Sequence, residues 1–176
     1  MKTGQLLLVS APSGAGKTSL VQAALAREPR LVVSVSHTTR APRGDEVDGL
    51  NYHFVATDEF DAMIKQDQFL EHAQVFDHQY GTAKAQVEAL RNQGRDVILE
   101  IDWQGADQVR ELMPDAVSLF ILPPSLAVLK ERLESRGQDS PQSIKRRLAE
   151  AQLEMSQAPR YEYIVVNDDF DQTLNE

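Results

Sequence analysis

Three features of this sequence predict an α/β fold, with a five-stranded parallel sheet flanked by helices and a small lobe of mixed strands inserted at its edge. First, five short apolar runs have the length and composition of buried strands: Leu6–Ser10, Leu31–Ser36, Val97–Ile101, Val117–Leu122 and Tyr163–Val166. Second, segments with helical spacing separate them, which is the rhythm of βαβ units and parallel pairing. Third, that rhythm fails between about His37 and Gly81, where Tyr52-His53-Phe54-Val55 alternates in polarity and Asp77-His78-Gln79-Tyr80-Gly81 reads as a turn. The inserted lobe is placed there.

The first run passes directly into Ala11-Pro12-Ser13-Gly14-Ala15-Gly16-Lys17-Thr18. A glycine-rich turn ending in Lys-Thr, with a strand before and a helix after, is a triphosphate-binding loop. Gly14, Ala15 and Gly16 carry little or no side chain, so several backbone N–H groups can converge on phosphate oxygens. Lys17 supplies a point charge to the β- and γ-phosphates, and the Thr18 hydroxyl is placed to ligate Mg²⁺. The helix that starts here turns its positive end toward the same anion. Ala11 stands where a first glycine is usual, a small change that the loop is expected to tolerate.

This helix is expected to run to about Ala26, before Pro29. A short helix is read near Asp58 to Gln66, and another from about Ala83 to Asn92, with Thr82 as N-cap and Gly94 past its end. Ser125 caps a helix whose Leu126, Leu129 and Leu133 repeat at helical spacing, and Gly137 ends it. Ser140-Pro141 opens the next, with Ile144, Leu148, Ala151 and Met155 as the buried stripe and Lys145, Arg146 and Arg147 off it. Asp171 to Glu176 look like the beginning of a last helix.

At 176 residues the length fits one domain, able to bury about 70% of its unfolded surface. A net charge of −9 argues against a general nucleic-acid binder, which would need a broad basic face. The charge is uneven: residues 150–176 hold seven acids and one arginine, whereas residues 123–149 hold six basic residues and three acids. A small anionic substrate needs only such a local basic cluster. The absence of cysteine excludes disulfides and fits a reducing compartment. No stretch approaches bilayer-spanning length, so a soluble, cytoplasmic protein without membrane contact is expected. The sequence is compatible with a homo-oligomer but does not specify one.

The insert opens with two arginines three apart, Arg40 and Arg43, stiffened by Pro42 between them. Such a pair can fork onto one phosphate, and a nearby tyrosine hydroxyl adds a neutral donor. From Thr39 to Phe54 the spacing of Thr39-Arg40, Arg43, Glu46, Gly49, Tyr52 and Phe54 resembles the signature of guanylate kinases. The similarity extends from Leu7 to about Asp171. It takes in the phosphate loop, Glu100-Ile101-Asp102-Trp103-Gln104-Gly105, Ser135-Arg136-Gly137 and Val166-Asn167-Asp168-Asp169.

That resemblance implies a single domain over residues 1–176. Residues 1–34, 83–134 and 157–176 would form a P-loop kinase core, residues 35–82 a GMP-binding lobe and residues 135–156 a helical lid. It implies transfer of the γ-phosphoryl group of ATP to GMP, giving ADP and GDP, with Mg²⁺ as cofactor and with dGMP as a further acceptor. Ser36, Arg40, Arg43, Tyr52, Glu71, Tyr80, Thr82 and Asp102 match the GMP-binding positions. The tyrosines and arginines hold the phosphate; Ser36, Glu71, Thr82 and Asp102 surround the base. ATP would lie against residues 11–18, with Asn167 and Asp168 near its adenine. Lys17, Arg40, Arg136 and Arg147 match the catalytic cations, and either Glu100 or Asp102 would support the metal through water.

The chemistry is coherent on the residues themselves. Guanine presents N1–H and its 2-amino group side by side, and a carboxylate such as Glu71 accepts both. Adenine would set its N1 lone pair against that carboxylate, a mismatch worth about 10⁴ or more in discrimination where a site is built around the missing bonds. The hydroxyls of Ser36 and Thr82 could donate to guanine O6. The acceptor phosphate, with a second pKa near 6, is mostly a dianion at neutral pH and needs no general base. His37, His53, His72 and His78 therefore have no assigned catalytic role, and their spacing suggests no metal site. What remains is bringing two polyanions together and neutralising the migrating phosphoryl group.

Two other readings compete. A different P-loop kinase of small molecules, such as one phosphorylating a ribose bisphosphate, would keep the loop but need no guanine pocket. A catalytically silent guanylate-kinase-like module that binds proteins would lack an intact ATP loop, whereas Lys17 and Thr18 are present. Family members usually continue with a further C-terminal helix, whereas this chain ends at Asn175-Glu176.

Overall fold

The computed structural model describes residues 3–75, 77–135 and 140–176. Their order is β1 (Leu6–Ser10), α1 (Lys17–Arg27), β2 (Leu31–Val33), β3 (His37–Thr38), β4 (His53–Phe54), α2 (Thr57–Lys65), β5 (Phe69–Val75), β6 (His78–Ala83) and α3 (Lys84–Asn92), followed by β7 (Asp96–Glu100), α4 (Trp103–Leu112), β8 (Val117–Leu122), α5 (Leu126–Ser135), α6 (Pro141–Ser156), a 3-10 turn (Ala158–Arg160), β9 (Tyr163–Val166) and α7 (Phe170–Asn175). One sheet has five strands in the order β2-β7-β1-β8-β9, and the other has four in the order β4-β3-β6-β5. The central strands β7, β1 and β8 carry Val97, Ile98, Leu99, Leu6, Leu8, Val9, Phe120 and Ile121, all buried, as expected of strands covered on both faces.

Two compact units emerge from the contacts: residues up to Leu7 with Arg30–Ala116, and Leu8–Pro29 with Val117–Glu176. In the first, β2 pairs in parallel with β7, Leu31 opposite Asp96. The four-stranded sheet is mixed: β3 runs parallel to β4, while β6 is antiparallel to both β3 and β5. Phe60 of α2 stacks on Phe69 of β5 with ring centroids 4.5 Å apart, sealing one face of this small sheet. In the second unit β8 pairs in parallel with β9. There α5 packs on α6 through Leu129, Leu133, Ile144 and Ala151, with Leu126 and Leu148 at the margin.

Ser125 and Ser140 cap α5 and α6 as the sequence predicts, accepting from the Val128 and Ser143 N–H groups at 3.2 and 3.1 Å. The expected end of α5 at Gly137 lies outside the described residues. Four details differ from the sequence reading. The strand beginning at Leu31 stops at Val33 rather than Ser36; Ser34 is buried with its hydroxyl donating to Gln86 Oε1 at 2.8 Å, and the chain crosses into the second sheet at His37. Residues 78–81 are not a turn but the start of β6, because β3 and β5 flank them on both sides; the reversal lies between Val75 and His78. Thr82 does not cap α3, whose N-cap is Ala83 without a side-chain bond. Finally, α4 has no counterpart in the sequence reading. Its buried face is built from Gly105, Ala106 and Val109, residues too small to register as an apolar stripe. Among the described residues no helix is long and apolar enough to cross a membrane.

Candidate active site

The phosphate loop lies wholly in the second unit. Gly14 and Gly16 have φ of 95° and 97°, a left-handed conformation that side chains resist. A Cβ on Gly16 would also stand 2.3 Å from Asn167 Nδ2. Between them Ala15 is buried; its N–H donates to the Pro12 carbonyl at 3.0 Å, and its carbonyl accepts from Asn167 Nδ2 at 2.7 Å. No side chain caps α1 at Gly16, so the positive end of the helix opens onto the loop at Lys17 and Thr18. Among the described residues the one non-glycine with positive φ is Asp67, so Ala11 holds an ordinary backbone conformation and needs no glycine.

Arg147, on α6, donates from Nη1 to Ser13 Oγ at 2.9 Å, which sets a cationic side chain against the loop. Arg136 lies outside the described residues. Asn167 is buried, and besides tethering Ala15 its carbonyl accepts from Arg132 Nη2 at 2.9 Å. Asp168 is exposed beside it.

The residues matched to GMP lie wholly in the first unit. Glu71 and Thr82 meet on one face of the β5–β6 pair through an irregularity in register. Phe69 is opposite Ala83, but Glu71 is opposite Thr82 rather than Gly81. The extra residue at Leu70 turns Glu71 away from the Phe69 face, since neighbours on β6 point to opposite sides. Glu71 is only 4% exposed, and the Thr82 hydroxyl donates to its Oε1 at 2.5 Å. A carboxylate is an acceptor only, so the single Thr82 proton is committed to Glu71, and Thr82 offers a ligand lone pairs. Ser36 is half-buried. Asp102 is the N-cap of α4: Oδ1 accepts from the Gly105 N–H at 2.9 Å and Oδ2 from Gln104 Nε2 at 3.0 Å. Glu100 ends β7, half-buried.

Arg40 is 6% exposed and forks onto Glu46, with Nη1 to Oε2 at 2.8 Å and Nη2 to Oε1 at 2.9 Å. Its Nη1 also donates to the Ala41 carbonyl at 2.7 Å, and the guanidinium carbon stands 5.3 Å from the Tyr52 ring centroid. Three of five guanidinium N–H groups are thus used on Glu46 and Ala41, and Tyr80 takes a further side-chain hydrogen bond. The bond to Glu46 and contact with Tyr80 push the Arg40 pKa further up against the opposing effect of burial. The same fork, with the Arg43 N–H, holds Glu46 below the usual carboxylate range. Tyr52 packs against Tyr80 with centroids 5.9 Å apart; burial first, then Tyr80 and Glu100, raise its phenol pKa and keep it a donor. Arg43 is exposed. Sequence reasoning left Glu46, the partner of Arg40, without a role, although its place six residues after Arg40 in the Thr39–Phe54 run was the available signal.

The structure therefore brings together the loop, Arg147 and Asn167 in one unit, and in the other Glu71 with Thr82 and, as a second group, Arg40 with Tyr52 and Tyr80. Among the described residues no three of His, Asp or Glu group to hold a metal ion.

Known proteins give the same direction. A family profile described as Guanylate kinase matches residues 3–176. A guanylate kinase of Alkalilimnicola ehrlichii is 60% identical over 171 residues, covering 97% of this chain and 84% of that protein. One of Hahella chejuensis is 58% identical over 176 residues, covering 100% and 85%. Among solved structures, the guanylate kinase of Anaplasma phagocytophilum superposes with a TM-score of 0.78 at 35% identity, covering 99% of this chain and 82% of that one. A shikimate kinase of Bacteroides thetaiotaomicron, at 12% identity and a TM-score of 0.51, shares the fold alone. With a matching profile over nearly the whole length and relatives well above half identical, the chain belongs to the guanylate kinase family.

Proposed function

We infer that this chain is an ATP-dependent guanylate kinase that transfers the γ-phosphoryl group of ATP to GMP, yielding ADP and GDP. The observation that carries this reading over a ribose bisphosphate kinase is Glu71, a buried carboxylate held by Thr82 in the same unit as Arg40, Tyr52 and Tyr80. A sugar phosphate offers such an acceptor only rotatable hydroxyls, whereas guanine supplies two N–H donors fixed side by side in one plane, the pattern a carboxylate matches. The intact loop with Lys17, Thr18 and Arg147 argues equally against a silent binding module.

In this reading Arg40, Arg43, Tyr52 and Tyr80 hold the GMP phosphate, with Glu46 fixing the plane of the Arg40 guanidinium. Ser36, Glu71, Thr82 and Asp102 form the base pocket. Residues 11–18 cradle the ATP phosphates, and Lys17 and Arg147 neutralise the charge that develops on the migrating group, a role that Arg136 shares by its place in the Ser135-Arg136-Gly137 match. Asn167 contributes by holding the loop in shape, and Asp168 is the residue of that pair left to reach a nucleobase. The donors available for Mg²⁺ are the Thr18 hydroxyl and the carboxylates Glu100 and Asp102, hard oxygens suited to an ion that keeps its waters and phosphate ligands. Either carboxylate could support the ion through water, Asp102 while also accepting from Gly105 and Gln104. When bound, Mg²⁺ would screen the β- and γ-phosphate charge. Residues 35–82 act as the acceptor lobe and 135–156 as the lid; because both substrates are intracellular nucleotides, the reading places the enzyme in the cytoplasm.

A coupled ADP-release assay across GMP, dGMP, AMP and ribose bisphosphate, with Mg²⁺ withheld as control, tests the reading. GMP should be preferred over AMP and ribose bisphosphate by orders of magnitude, with dGMP also accepted. Lys17→Ala should lower kcat by about 10² or more, as expected when a cation acting on the transition state is removed. Full activity in that variant sinks the catalytic assignment.

A further inference from the structure

We propose that Gly105 is a specificity-positioning residue: its missing side chain makes the space in which the Glu71 carboxylate lies, and so sets where guanine is read. The inference rests on the reading of Glu71 as the guanine acceptor. An ideal Cβ on Gly105 would stand 2.5 Å from Glu71 Oε2 and 3.1 Å from its Cδ, well inside van der Waals contact. Gly105 is buried in the first turn of α4 and has no left-handed backbone, so flexibility does not account for glycine at this position; space does. The other carboxylate oxygen, Oε1, is fixed by Thr82 at 2.5 Å. Glu71 is thus held between a hydroxyl on β6 and the first turn of α4, whose positive end favours a carboxylate there. The Gly105 N–H in turn donates to Asp102 Oδ1 at 2.9 Å. One residue without a side chain therefore fixes the spacing of two carboxylates assigned to the base pocket.

The atom that yields to an added methyl is the far end of the Glu71 side chain rather than backbone, so Gly105→Ala should move the carboxylate more than it disturbs the fold. The sensitive readout is the preference for GMP over IMP, which lacks the 2-amino group and so reports the second bond to Glu71. In Gly105→Ala that preference should fall at least tenfold, with KM for ATP within about twofold of wild type and a thermal midpoint close to it. Glu71→Asp withdraws the carboxylate by one methylene and frees the space. Adding Gly105→Ala to that variant should change the preference less than twofold, a non-additivity that general damage to the pocket does not produce.

Glu71→Gln separates the two levels of the argument. If Glu71→Gln loses the GMP preference and Gly105→Ala keeps it, the positioning role of Gly105 is overturned while the reading of Glu71 stands. If Glu71→Gln keeps the preference, that reading fails and takes the proposal with it. Should Gly105→Ala alone not fold, the comparison of Glu71→Asp with Glu71→Asp/Gly105→Ala decides, and a tenfold drop on adding the methyl there overturns the proposal.

Discussion

Arg40 and Glu46 form one charged pair on which both the stability of the lobe and the proposed hold on the GMP phosphate would depend. Each arm of the fork joins ionised partners, and Arg40 is nearly enclosed, so removing the Glu46 charge leaves a buried cation short of acceptors. Glu46→Gln should lower stability by about 1–3 kcal/mol in denaturant unfolding and raise KM for GMP more than KM for ATP. Arg40→Lys keeps the charge but loses the planar fork; kcat/KM for GMP should fall by about 10- to 100-fold, the equivalent of one or two charge-assisted hydrogen bonds. A variant with unchanged kcat/KM would remove Arg40 from the acceptor site.

Among elements, the phosphate loop takes part of its shape from outside itself. The Asn167 amide donates to the buried Ala15 carbonyl across 152 positions of sequence, and Gly16 leaves the room that amide occupies. Asn167→Ala should strand that carbonyl, lower stability by about 1–3 kcal/mol and raise KM for ATP with little effect on KM for GMP. Asn167→Asp should be worse than alanine, because it sets an acceptor against an acceptor; the order of the two variants in ATP affinity is the check. The motif that announces the loop was legible in Ala11–Thr18, since glycine content and the Lys-Thr pair are local demands. Its tether was not, because an asparagine far along the chain gives no local sign of which carbonyl it will meet.

For the whole molecule, two linkages follow. A nucleotide that binds only the folded chain stabilises it by about 2.7 kcal/mol at a hundred times its Kd, so saturating GMP should raise the thermal midpoint by roughly 5–10 °C and AMP should not. An equal shift with AMP would contradict a guanine pocket. The second linkage is to pH. His37 lies 4.6 Å from His53 and its Nδ1 is buried without a hydrogen-bond partner. Burial, and then the neighbouring His53, hold its pKa below the ordinary 6.5, with Asp48 opposing. The unfolded chain therefore takes up this proton more readily. The contribution is complete above about pH 6.5 and is lost as pH falls from there through the lower folded value. Melting temperatures measured between pH 7.5 and 5 should drop, and His37→Gln should flatten the decline; an unchanged slope would show that His37 does not set it.

The amino-acid order by itself determined the strand runs of the main sheet, the phosphate loop, the caps at Ser125 and Ser140 and the family, because each is written in neighbours a few residues apart. Tertiary structure decided three things. The irregularity at Leu70 turned Glu71 onto the face of Thr82, which alternation along β5 alone would not do. The small residues Gly105 and Ala106 became the buried side of α4, since what they admit, a carboxylate and a close-packed strand, comes from elsewhere in the chain. Thr82 gave up its expected cap for a bond to Glu71. Sequence spacing records what a residue does to its own backbone; which distant group it will face is fixed only when burial leaves that group no water to bond instead.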